Sequence, residues 1–120
     1  MDLHAPTRLL AGLSPAQFMR RHWQSKPLLV RAAWPQLSHP PLTRTQLFAL
    51  AADADVESRL VSRIGARWAV RHGPLARRSL PPLRQAGWTL LVQGVDLHDE
   101  RAHRLLARFR FIADARLDDV

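Results

Sequence analysis

The sequence predicts an α+β fold, with helices first and strands after. Three observations carry that expectation. Two capping boxes, Ser14-Pro15-Ala16-Gln17 and Thr43-Arg44-Thr45-Gln46, each mark a helix start. Residues 56–72 alternate with period two about a Gly65-Ala66 turn, as a hairpin does. Residues 88–95 form a near-continuous apolar run, which suits a central strand.

Each element follows in order. The first helix has Pro15 at its first helical position, and Leu13 and Phe18 flank the cap at hydrophobic-staple spacing. Phe18, Met19, His22 and Trp23 give it a core-facing side. Lys26-Pro27 should end it, because proline pushes the preceding residue out of the helical region. Leu28-Leu29-Val30-Arg31 then reads as a short buried strand. The proline-rich stretch from Trp34-Pro35 to Pro40-Pro41 reads as a stiff surface loop within one unit, not as a linker. The second helix has Leu42 and Leu47 as its staple pair and runs to about Ala52.

In the hairpin, Val56, Ser58, Leu60, Ser62 and Ile64 alternate with Glu57, Arg59, Val61 and Arg63. After the turn, Trp68, Val70 and His72 alternate with Arg67, Ala69 and Arg71, so one face should be wet. Gly73-Pro74 breaks the strand. Residues 75–85 are arginine-rich with Pro81-Pro82 inside, and read as loop with one helical turn. From about Asp99 a third helix begins, with Asp99 and Glu100 at its positive end. Ala102, Leu105, Leu106 and Phe109 make its apolar stripe, and Arg101, Arg104 and Arg108 cover the other side. The last residues, Arg116 to Val120, read as a strand being entered. No internal boundary shows, so residues 1–120 are expected to form a single unit.

Composition narrows the classes of function. With no cysteine there is no disulfide, thiolate nucleophile or thiolate metal site, which suits a cytoplasmic protein. The N-terminus carries Asp2 and lacks a long apolar run, unlike a secretory signal. No stretch is long enough to span a bilayer, so no membrane partner is expected. The formal charge is +8, and Lys26 is the only lysine. Such a charge draws a chain toward nucleic acid or the ribosome, yet arginine scattered over every segment is also what codon bias produces.

The candidate chemistry is sparse. His98, Glu100 and His103 offer ligand types for a non-haem iron site, which wants two histidines and a carboxylate on one face. Glu100 and His103 share a helix face, but His98 precedes the first turn, so a solvated acidic helix start is the plainer reading. His22 reads as a packed histidine on the apolar side of the first helix, and His4 and His39 as surface groups. His72, at the hairpin's end, is either a turn residue or one lining a cleft. Asp118 and Asp119 point to opposite faces of a strand and cannot act as a pair. Glu57 and Arg59 read as an ion pair on one strand face. Ser58 has no nucleophile signature around it, and the five glycines form no phosphate loop. No complete catalytic constellation is present, so no catalytic or metal residue is assigned within this chain.

Several blocks in order carry a resemblance. They are His22-Trp23-Gln24-Ser25-Lys26-Pro27-Leu28-Leu29-Val30, Asp55-Val56-Glu57-Ser58-Arg59-Leu60-Val61 and Trp68-Ala69-Val70-Arg71-His72-Gly73-Pro74. Trp88-Thr89-Leu90-Leu91-Val92-Gln93, Arg108-Phe109-Arg110-Phe111 and Arg116-Leu117-Asp118-Asp119-Val120 follow. Together they resemble the N-terminal part of the bacterial ribosomal oxygenases, JmjC-type hydroxylases of cupin fold. The resemblance implies an incomplete double-stranded β-helix built on the helices and strands above. It implies an enzyme that uses Fe(II) and 2-oxoglutarate to hydroxylate an arginine of a large-subunit ribosomal protein.

The family's His-x-Asp and distal His would lie beyond Val120, and its 2-oxoglutarate residues mainly so. No iron ligand carries over to this chain, which is expected to bind neither cofactor alone and to be inactive alone. Where the family has Pro-Asp-Trp-Arg, this chain has Ala113-Asp114-Ala115-Arg116 and lacks the aromatic. Two other readings stay open: a small basic module contacting ribosomal RNA, and part of a JmjC hydroxylase with another protein substrate. Unpaired strand edges would also favour self-association.

Overall fold

In a computed structural model of the chain, residues 1–117 are described. They fall into two compact units. The first comprises Met1–Pro40 with Phe111–Ala113, and the second is built mainly of Pro41–Arg110. The division falls in the proline-rich connection that the sequence suggests is a loop inside one unit.

The first unit is organised around helix α1, Pro15–Arg21. Both arms of its capping box form: the Gln17 N–H donates to Ser14 Oγ at 3.2 Å, and the Ser14 N–H to Gln17 Oε1 at 2.9 Å. Before it, Thr7 caps a 3-10 turn over Arg8–Leu10, which buries Leu10. Phe18 meets the edge of Phe111 with ring centroids 5.8 Å apart and planes at 79°, a favoured aromatic arrangement.

α1 ends earlier than Lys26-Pro27 predicts. The Phe18 carbonyl accepts from the N–H groups of both His22 and Trp23, and Gln24 then turns left-handed at φ 52°. A left-handed residue closes the helix by satisfying its last carbonyls, before the proline can act. Residues 28–30 are not a strand either. Leu29 is 75% exposed, and no partner strand for it exists among the described residues.

The second unit begins with α2, Arg44–Ala52, capped by Thr43 and Gln46 as expected. Strands β1, Ser58–Ile64, and β2, Arg67–His72, form the predicted antiparallel hairpin, with Val61 opposite Val70 and Ile64 opposite Arg67. A 3-10 turn follows at Arg77–Ser79, and β3 spans Trp88–Val92. β3 pairs antiparallel with β1, with Leu60 opposite Leu90 and Ser62 opposite Trp88. The sheet order is β2-β1-β3. The central strand among the described residues is therefore β1, not the apolar run at 88–95.

The core lies on one face of this sheet. Leu60, Leu75 and Leu80 are buried together, with Phe48, Trp88 and Leu90 packed around them. Each such side chain contributes roughly 1.5–3 kcal/mol by leaving water. Only one strand face reaches that core at β1, and every residue of β2 is exposed. Instead of one wet face, β2 thus has two.

The apolar run stops at Val92 because Gly94 turns left-handed at φ 63°, and Val95–His98 forms a short helix, α3. Asp99 then caps α4, Glu100–Ala107. Ala102 is buried, Leu105 and Leu106 are half-buried, and Arg101 and Arg104 lie outward, as the stripe predicts. Asp114–Arg116 is a 3-10 turn instead of the start of a strand. Asp118 and Asp119 lie outside the described residues.

Candidate functional site

The histidines test the metal reading first. His98, Glu100 and His103 are all exposed around the start of α4. Glu100 accepts from Arg104 at 2.5 Å, and Asp99 accepts from Arg101 at 2.7 Å. The acidic groups of this helix start are thus spent on arginines and on backbone N–H groups. No three acidic or imidazole groups converge on a metal-sized site among the described residues. These side chains do not fit an iron centre.

Asp99 is the perturbed group of this cluster. Its hydrogen bond from Arg101 holds its carboxyl down to about 2 from an ordinary 3.8, against the opposing effect of burial. Bonds from the N–H groups of Arg101 and Ala102 add to the lowering. The same contact raises Arg101. The Arg101 guanidinium contributes most, and a cap carboxylate on orphan helix donors is likewise favoured in its charged form.

His22 behaves as a packed residue. It stacks on Phe18 with centroids 5.8 Å apart and planes 8° from parallel. Its Nδ1 is buried and has no hydrogen-bond partner among the described residues. His4 and His39 are exposed, and His39 Nδ1 lies 2.9 Å from Ser38 Oγ.

His72 is exposed and ends β2. It lines a shallow, open depression of about 420 Å³ together with Asp55, Glu57, Ser58 and Gly73. Ser58 is part of its wall yet is no nucleophile: it is 2% exposed, and its hydroxyl donates to the Ala51 carbonyl at 3.3 Å.

One polar arrangement escaped the sequence. Arg59 does not pair with Glu57. Its guanidinium instead donates to the Gln93 side chain, just past β3. The Arg59 Nε is buried without a partner among the described residues. Two groups so far apart in sequence meet only because β3 lies beside β1, so no local pattern could have revealed them.

Comparison with known proteins bears on the resemblance. The chain is 36% identical over 103 residues to the ribosomal protein uL16 3-hydroxylase of Escherichia coli, covering 86% of this chain and 27% of that protein. It superimposes on a solved structure of YcfD, a ribosomal oxygenase from Escherichia coli, with a TM-score of 0.74 at 36% identity. That match covers 89% of this chain and 29% of the other.

The chain matches part of a ribosomal oxygenase.

A structure of the same ribosomal oxygenase in complex with cobalt and 2-oxoglutarate agrees nearly as well, with a TM-score of 0.73 at 34% identity. It too covers 89% of this chain and 29% of that one. The present chain thus spans under a third of the length of the ribosomal oxygenases it matches. No protein-family model matches it. No helix among the described residues is long and apolar enough to cross a membrane.

Proposed function

We propose that these residues are the N-terminal part of a 2-oxoglutarate- and Fe(II)-dependent oxygenase that hydroxylates a ribosomal protein side chain. The observation that carries this is the joint agreement of sequence and backbone with the ribosomal oxygenase, at 36% identity and a TM-score of 0.74. A fold alone would not carry function, since unrelated activities share folds. Here the residues agree as well.

In this reading, both compact units belong to one catalytic domain, and the helices and three-stranded sheet begin a cupin-type double-stranded β-helix. The substrate is an arginine of a large-subunit ribosomal protein, and the enzyme works in the cytoplasm. The ligands for iron and the residues for 2-oxoglutarate lie past Val120.

The test compares this chain with the protein encoded by the whole reading frame. The longer protein should hydroxylate a ribosomal-protein peptide when given Fe(II) and 2-oxoglutarate, and the 120-residue chain should not. Turnover by the shorter chain would overturn the assignment of the ligands, and a longer frame without a His-x-Asp pair would overturn the oxygenase reading.

A further inference from the structure

We draw no further inference here: the strongest candidate, the Arg59 side chain hydrogen-bonded to Gln93 on the sheet face away from the Leu60 core, carries nothing, because nothing in the structure shows what covers that face.

Discussion

Gly73 sits directly against Ser58. Its N–H donates to the Ser58 carbonyl at 2.8 Å, and a Cβ placed on it would run into the Ser58 hydroxyl. That hydroxyl is itself held by the Ala51 carbonyl, which also accepts from the Leu75 N–H at 2.7 Å. α2, β1 and the end of β2 therefore meet at one crowded point.

Gly73→Ala should destabilise the second unit by about 1–3 kcal/mol, because overpacking forces neighbours off their preferred positions. Ser58→Ala alone removes one hydrogen bond and should cost about 1 kcal/mol. The double variant should lose less than the sum of the two, since removing the hydroxyl clears the space. Urea unfolding of the three variants measures this coupling, and strict additivity would refute the contact.

Leu60→Ala should be among the costliest core changes, at about 2–5 kcal/mol, because a cavity would open among Leu75, Leu80 and Leu90. Val70→Ala, with the side chain largely in water, should stay within about 0.5 kcal/mol. Thermal unfolding followed by circular dichroism separates the two.

Ser14→Ala should cost about 1 kcal/mol, since it leaves the Gln17 N–H without its cap. Ser14→Asp should retain most of the stability, because a carboxylate caps equally well and suits the positive helix end. Chemical denaturation monitored by tryptophan fluorescence compares them.

Asp99 sets an acid limit on α4. Its folded carboxyl titrates at about 2 against an ordinary 3.8. A depressed carboxylate contributes stability that is complete above the ordinary value and fades as pH falls through the folded one. The helix should therefore hold at neutral pH and fray between about pH 4 and pH 2, with Asp99 as the titrating group. Asp99→Asn should keep the cap and abolish this titration, whereas Asp99→Ala should fray the helix at neutral pH. Amide exchange at Arg101, Ala102 and His103 reads all three cases.

Much of this architecture is local, and local signals are legible in a sequence. Ser14 with Gln17 and Thr43 with Gln46 announce α1 and α2, because a cap needs only residues three apart. The alternation about Gly65 announces β1 and β2, and the stripe from Ala102 to Phe109 announces α4, for the same reason. The blocks resembling a ribosomal oxygenase were legible too, and the comparisons agree with them. Some expectations failed through local turns, as at Gln24 and Gly94, and others because a distant partner was involved or missing. Leu28 to Val30 has strand-like residues but no strand beside it among the described residues.

What only the tertiary structure decided is which strand lies in the middle and what faces water. The apolar run at Trp88 looks central by composition, yet β1 occupies that place because it is hydrogen-bonded to both neighbours. Trp68 and Val70 look like core residues by type, yet their register with Arg63 and Val61 turns them outward. Arg59 finds Gln93 instead of Glu57 because β3 is laid alongside β1. Periodicity specifies which residues share a face, but pairing between strands distant in sequence determines which face is covered, and that information is not local to any segment.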